Sequence, residues 1–219
     1  MNVIYLKPSF EELRSLAFKL FRQIERSGWK QDVNVGIGRG GLFVLRALQD
    51  FYIAKGRRIP YIIISVERYR GIGKANRVKI KYLNTKFVKG KKVLLVDDVA
   101  DQGISLREAK KACLEKGALD VKTATLHLKP WSVIKPDFYV AETDAWIIYP
   151  WELYETIRLI VEANLDRRPE EIYWELEARA NIMPEEYERF YEIVRDSDLN
   201  PKFKKVVELV RREFVKRAP

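Results

Sequence analysis

The 219-residue chain predicts an α/β fold, a mainly parallel twisted sheet flanked by helices, with a helical extension at its carboxyl end. Three observations carry that expectation. A chain of this length that is 47% apolar can bury one substantial core and a small appendage. Short apolar runs alternate with helix-period segments up to Trp151, the pattern of strands joined by crossover helices. Beyond Trp151 the strand-like runs cease, so the expected division is a main domain over 1–151 and a helical extension over 152–219.

Taken in order, Ser9 and Glu12 form a capping-box pattern ahead of Leu13, Leu16, Ala17, Leu20, Phe21 and Ile24, an amphipathic helix closed by Ser27-Gly28. Strands are expected over Val33–Ile37, Tyr61–Val66, Val78–Leu83, Val93–Val96 and Val121–Leu126, with helices over Leu42–Ala54 and Ser105–Lys116. In the extension, breaks near Asn164–Pro169, Ile182–Pro184 and Ser197–Pro201 separate three or four helices. Ligands of such sheets sit at the carboxyl ends of the strands, so the segments after Ile37, Val96 and Leu126 are where chemistry is expected.

Composition narrows the classes. No window approaches 18 uninterrupted apolar residues, and the amino terminus MNVIYLKPSFEE runs into acidic residues, which predicts a cytoplasmic protein with no membrane contact. Cys113 is the single cysteine, so no internal disulfide forms and a buried thiol is expected. Abundant Lys, Arg and Glu, with one His, resembles hyperthermophile composition. The net charge of +10 is uneven: residues 1–151 carry 28 basic and 15 acidic side chains, and residues 152–219 carry 13 and 16. Within the basic part, Arg68, Arg70, Lys74, Arg77, Lys79, Lys81, Lys86, Lys89, Lys91 and Lys92 occur with no acid between them, which suits a polyanion, either a phosphate cluster or a nucleic-acid backbone, or a solvated face.

Two glycine-bearing segments follow predicted strands. Gly36-Ile-Gly38-Arg39-Gly40-Gly41 satisfies the dinucleotide fingerprint as letters, but Glu67, the acid a dinucleotide ribose would need, lies in the basic stretch. The other readings are a phosphate-binding turn, in which Gly40 and Gly41 admit an oxyanion to backbone N–H groups and Arg39 adds a fixed charge, or a purely structural glycine turn. The second segment is more specific. Val93-Leu-Leu-Val delivers Asp97 and Asp98 to a strand end, and Asp101-Gln102-Gly103-Ile104-Ser105 turns into a helix. Adjacent carboxylates there can bind vicinal ribose hydroxyls and anchor a hydrated Mg²⁺, while the amides of Gln102 to Ser105 and the Ser105 hydroxyl can hold a monophosphate. Helix capping alone does not call for three carboxylates in five residues.

This second segment resembles the phosphoribosyl-diphosphate signature of type I phosphoribosyltransferases: an apolar strand, two acids, and a turn that usually ends Asp-Thr-Gly-x-Thr. Ser105 keeps the terminal hydroxyl, and Gln102 stands in place of the usual threonine. Arg39-Gly40-Gly41 resembles the family's diphosphate loop, and the stretch over 67–77 occupies the place of its mobile hood. Over residues 33–152 the likeness is to the 6-oxopurine members, especially the xanthine-guanine phosphoribosyltransferases. It implies that Lys129 meets the purine carbonyl, that Trp146 and Ile147 line the base pocket, and that Glu152 or backbone groups contact the base 2-position. It also implies Asp101 as the catalytic group at the purine imidazole edge, Mg²⁺ as cofactor held through Asp97 and Asp98, phosphoribosyl diphosphate and a purine base as substrates, and a homodimer or higher homo-oligomer. A regulator that senses phosphoribosyl diphosphate or nucleotides and binds nucleic acid is the alternative reading, and a dinucleotide-dependent oxidoreductase rests on the glycine pattern alone.

Overall fold

The computed structural model describes residues 3–69 and 77–217. Its secondary structure runs β1 (Tyr5–Leu6), α1 (Phe10–Arg26), β2 (Val33–Gly38), α2 (Gly41–Ala54), β3 (Tyr61–Tyr69), β4 (Arg77–Lys81), α3 (Thr85–Val88), β5 (Lys92–Ala100), α4 (Ile104–Glu115), β6 (Asp120–Leu128), β7 (Phe138–Glu142) and β8 (Trp146–Ile147), then α5 (Leu153–Glu162), α6 (Pro169–Trp174), α7 (Pro184–Arg195) and α8 (Pro201–Arg217). A one-turn 3₁₀ segment precedes α5 and a π-helical turn, Glu175–Arg179, follows α6. None of the described helices is long and apolar enough to cross a membrane.

Six strands form one sheet in the order β4-β3-β2-β5-β6-β7, with every neighbouring pair parallel except the β3–β4 edge. The connections from β2 lead outward to β3, and those from β5 lead the other way to β6 and β7. The order therefore reverses between β2 and β5, and in open sheets of this kind ligands bind outside the carboxyl ends of the strands at such a switch point. β5 is central because Val93, Leu94, Leu95 and Val96 are all fully buried, as a strand covered on both faces must be. Cys113 on α4 joins the apolar cluster beneath the sheet, and burial pushes its thiol up to about 11, so it behaves as a core residue.

The chain divides into two compact units that cut across the 1–151 and 152–219 division expected from sequence: Glu11–Asp144 forms one, and Met1–Phe10 joins Ala145–Pro219 in the other. The reason is a two-stranded parallel ribbon, β1 with β8, which is too short to show as a strand pattern. Side chains reinforce it. Tyr5 Oη donates to Glu175 Oε1 at 2.8 Å, Lys7 Nζ donates to Asn181 O at 2.7 Å and pairs with Glu186, and the Arg179 guanidinium donates to Val3 O at 2.6 Å. In the same unit, apolar faces of α5, α7 and α8 meet around Tyr187, whose ring stacks on Phe214 at 4.6 Å and whose hydroxyl donates to Val207 O at 3.1 Å. Pro169, Pro184 and Pro201 each open a helix, where a missing N–H costs nothing.

Among the boundaries that differ from expectation are the ends of β5 and β4. β5 does not end at Val96 but continues through both aspartates to Ala100, because its ladder with β6 runs on past Asp97↔Thr125 to Ala100↔Leu128. Its ladder with β2 stops at Gly36↔Val96, so Asp97–Ala100 is laddered to β6 and not to β2. β4 ends at Lys81, where Tyr82 takes a left-handed φ of 66° that a strand cannot accommodate. Leu95→Ala removes a fully buried side chain from the central strand, and unfolding in urea should show a loss of about 2 to 5 kcal/mol.

Candidate active site

Two helix starts follow the carboxyl ends of β2 and β5. Gly40 caps α2 and Gly103 caps α4, and neither N-cap residue offers a side chain as a cap. The Leu42 N–H donates to Arg39 O at 3.1 Å. Gly103 adopts φ 74°, a conformation glycine takes without strain. Arg39 is exposed, and the Gly38–Arg39 peptide is cis. Space is what demands glycine at 40 and 41. A Cβ at Gly40 would collide with the Asp98 carboxylate, and one at Gly41 would collide with Val96 O and come within 3.1 Å of Asp97 Cα. The Arg39-Gly40-Gly41 turn is therefore pressed directly onto the end of β5 that carries the aspartate pair.

Asp98 is buried and Asp97 half-buried. Each uses Oδ1 to accept the next backbone N–H: Asp97 from Asp98 at 3.0 Å, and Asp98 from Val99 at 2.8 Å. These bonds orient both carboxylates along the extended strand. The turn that follows places Asp101 and Gln102 at the surface, Gly103 in the interior, and Ile104 and Ser105 half-buried at the start of α4.

Lys129 follows β6 and is 6% exposed. Burial lowers its pKa below the ordinary lysine value, while the negative charges of Asp101 and Asp144 pull it back up. An ammonium in that position keeps a donor inside the protein with carboxylates on hand to balance it. Trp131, two residues on, donates its indole N–H to Asp101 Oδ1 at 3.0 Å, and Lys129 Nζ lies 5.5 Å from its ring centroid. Sequence reading passes over Trp131, and its only signal is adjacency to Lys129-Pro130. The structure thus brings Gly40 and Gly41 against Asp98 and Asp97, with Arg39 exposed beside them in sequence, and Lys129 into the charge environment of Asp101, all within the unit Glu11–Asp144.

Trp146, Ile147 and Glu152 belong to the other unit. Trp146 is 48% exposed on β8 and Ile147 is buried, with Trp146 paired to Tyr5 across the ribbon. Glu152 is half-buried in the 3₁₀ turn before α5. Of the basic stretch, residues 70–76, including Arg70 and Lys74, lie outside the described residues, as do the side chains of Arg68 and Arg77. Lys81 pairs with Glu67 across the β3–β4 edge.

The fold thus places two glycine-capped helix starts and an acidic strand end at the switch point of a mainly parallel sheet. A match to the phosphoribosyl transferase domain over residues 4–156 covers more than half of the chain, and the chain belongs to that family. Its relatives are enzymes. The hypoxanthine-guanine phosphoribosyltransferase of Streptococcus pneumoniae is 29% identical over 123 residues, which cover 56% of this chain and 67% of the relative. Among solved structures, the purine phosphoribosyltransferase from Pyrococcus horikoshii OT3 superposes with a TM-score of 0.58 at 30% identity, covering 67% of this chain and 93% of that one. A hypothetical protein from Neisseria gonorrhoeae with bound ppGpp gives a TM-score of 0.61 at 25% identity over 69% of this chain and 91% of that one. The family match ends inside α5, so α6, α7 and α8 lie outside it.

Two outcomes follow from these contacts. Gly40→Ala forces the turn and the Asp98 carboxylate apart. It should lower stability by about 1 to 3 kcal/mol, and isothermal titration should show at least about tenfold weaker phosphoribosyl diphosphate binding. His127, 2% exposed on β6, is driven by burial and then by the Lys129 charge from 6.5 to a pKa of about 4. The unfolded chain therefore binds the extra proton between those values. Its contribution is complete above pH 6.5 and is lost, at about 1.4 kcal/mol per pH unit, as pH falls toward 4. Urea unfolding at pH 7 and pH 5 should show a smaller loss for His127→Gln than for the wild type, and equal losses would refute the assignment.

Proposed function

We propose that this enzyme transfers the 5-phosphoribosyl group from phosphoribosyl diphosphate to a 6-oxopurine base (hypoxanthine, guanine or xanthine), giving the nucleoside monophosphate and diphosphate, and so serves purine salvage. The observation that carries the choice of base is Lys129, a buried ammonium in the field of Asp101 and Asp144. An ammonium has only donors, so it matches the carbonyl at the 6-position of an oxopurine and not the amine of adenine. The names of the Streptococcus and Pyrococcus relatives support a purine acceptor.

In this reading the first-turn amides of α4, from Gln102 to Ser105, hold the 5′-phosphate at the positive end of the helix. Arg39 and the amides at Gly40 and Gly41 hold the diphosphate, and the tight seating of that turn on β5 sets its distance from the ribose carboxylates. The bond from the anomeric carbon to the diphosphate oxygen breaks as the purine nitrogen bonds to the same carbon, through an oxocarbenium-like state. Positive charge on Arg39 stabilises the departing oxyanion. Asp101 accepts a hydrogen bond from the imidazole edge of the base and assists removal of its proton.

Asp97 and Asp98 are the residues that would hold Mg²⁺. Two adjacent hard-oxygen carboxylates on one strand end fit a cation whose remaining ligands would be water and substrate oxygens. When bound, that ion supplies charge neutralisation at the diphosphate.

Incubation with Mg²⁺, phosphoribosyl diphosphate and, separately, hypoxanthine, guanine, xanthine and adenine, followed by chromatography, should give nucleotide with oxopurines and little with adenine. Lys129→Met should lower kcat/KM for hypoxanthine and guanine by roughly ten- to a hundredfold, and the KM for phosphoribosyl diphosphate should change by less than about twofold. A preference for adenine, or unchanged oxopurine turnover in the variant, overturns the choice of base.

A further inference from the structure

The turn that opens α4 and the loop that follows β6 are sewn to each other. Lys129 N–H donates to Ala100 O at 3.0 Å and Val133 N–H donates to Gln102 O at 3.1 Å, while Ser132 N–H closes the loop on Lys129 O at 3.0 Å. Gly103 lies under this loop with Ile134 Cγ2 only 2.8 Å from where a Cβ would stand. The seam thus has a fixed backbone on both sides, and the side chain that crosses it is Trp131, through its 3.0 Å bond to Asp101 Oδ1.

The indole is 54% exposed, so core packing does not account for a ring of this size here. What it does supply is a donor. An indole N–H donates only, does not titrate in the working range and carries no acceptor, so it cannot take a proton from a base itself. It acts through the carboxylate it touches. A surface aspartate in a turn otherwise samples several rotamers, and proton transfer needs its oxygen within hydrogen-bond reach of one atom. A bond to Oδ1 from a ring anchored on a sewn loop removes that freedom. The same ring lies beside the Lys129 ammonium, so one side chain contacts both the group assigned to the purine proton and the group assigned to the purine carbonyl.

We propose that Trp131 is the positioning residue of Asp101, holding Oδ1 so that the carboxylate is turned toward the purine imidazole edge. The proposal rests on the reading of Asp101 given above, and its test separates the two. Trp131→Phe keeps a ring and deletes the donor. Its kcat should fall about ten- to a hundredfold, the loss expected for a hydrogen bond to a charged group, while the KM for phosphoribosyl diphosphate should change less than about twofold. Trp131→His restores a ring N–H the same number of bonds from the backbone, and most of the lost kcat should return at a pH where the imidazole is neutral. Because the residue is half exposed, both variants should melt within about 2 °C of the wild type.

The link itself has a direct signature. In a ¹H–¹⁵N spectrum the indole resonance missing from Trp131→Phe belongs to Trp131, and Asp101→Ala should shift it and speed its exchange with water. If Asp101→Ala leaves that resonance unmoved, or if Trp131→Phe keeps the wild-type kcat, or if Phe and His lower kcat alike, the proposal is wrong. Wild-type protein that forms no nucleotide from any base overturns the functional reading and the role of Trp131 in it, while the resonance still reports whether the contact exists.

Discussion

Two chain segments more than fifty residues apart meet with no room for one methyl group between them, and the rest of the candidate site is arranged around that meeting. The turn at Gly40 and Gly41 lies against Val96 O, Asp97 Cα and the Asp98 carboxylate, so the start of α2 is in close contact with the end of β5. A parallel sheet puts such segments side by side only where its strand order reverses, here between β2 and β5. Glycine at these positions is thus a requirement of close approach, and the oxyanion-binding capacity of the helix start comes with it.

The charge pattern is consistent with this geometry. Asp97 and Asp98 occupy the strand end, and the glycine-capped starts of α2 and α4 adjoin it. Burying Lys129 is costly by itself, and the nearby Asp101 and Asp144 charges are what make it tolerable. His127, two residues earlier and still on β6, shows the other resolution of the same problem: with burial and a neighbouring cation both against it, the imidazole stays neutral down to acid pH.

The second unit is built differently. Its helices α5 to α8 close on an apolar core of their own, and the first residues of the chain are sewn to it by the β1–β8 ribbon, Tyr5 and Lys7. The family match stops inside α5, so α6, α7 and α8, which supply much of this core, lie outside it. Trp146, Ile147 and Glu152, the remaining base-side candidates, are carried by this unit.

The sequence by itself determined the alternation of strand and helix, the helical carboxyl-terminal part, and the segments in which glycines and carboxylates follow apolar runs. These are local properties: periodicity, capping and turn chemistry are written within ten or so residues. Only the tertiary structure decided where β5 ends, because hydrophobicity stops at Val96 while the backbone ladder with β6 continues to Ala100, and hydrogen bonding between strands leaves no mark on side-chain pattern. It also decided that the amino-terminal strand joins the carboxyl-terminal unit, a pairing of two residues with two across some 140 positions. Trp131 belongs to the same category. Its importance lies in a bond to Asp101 thirty residues away, and a contact between loops of different strands is set by the register and spacing of the sheet beneath them, which no local reading of residues contains.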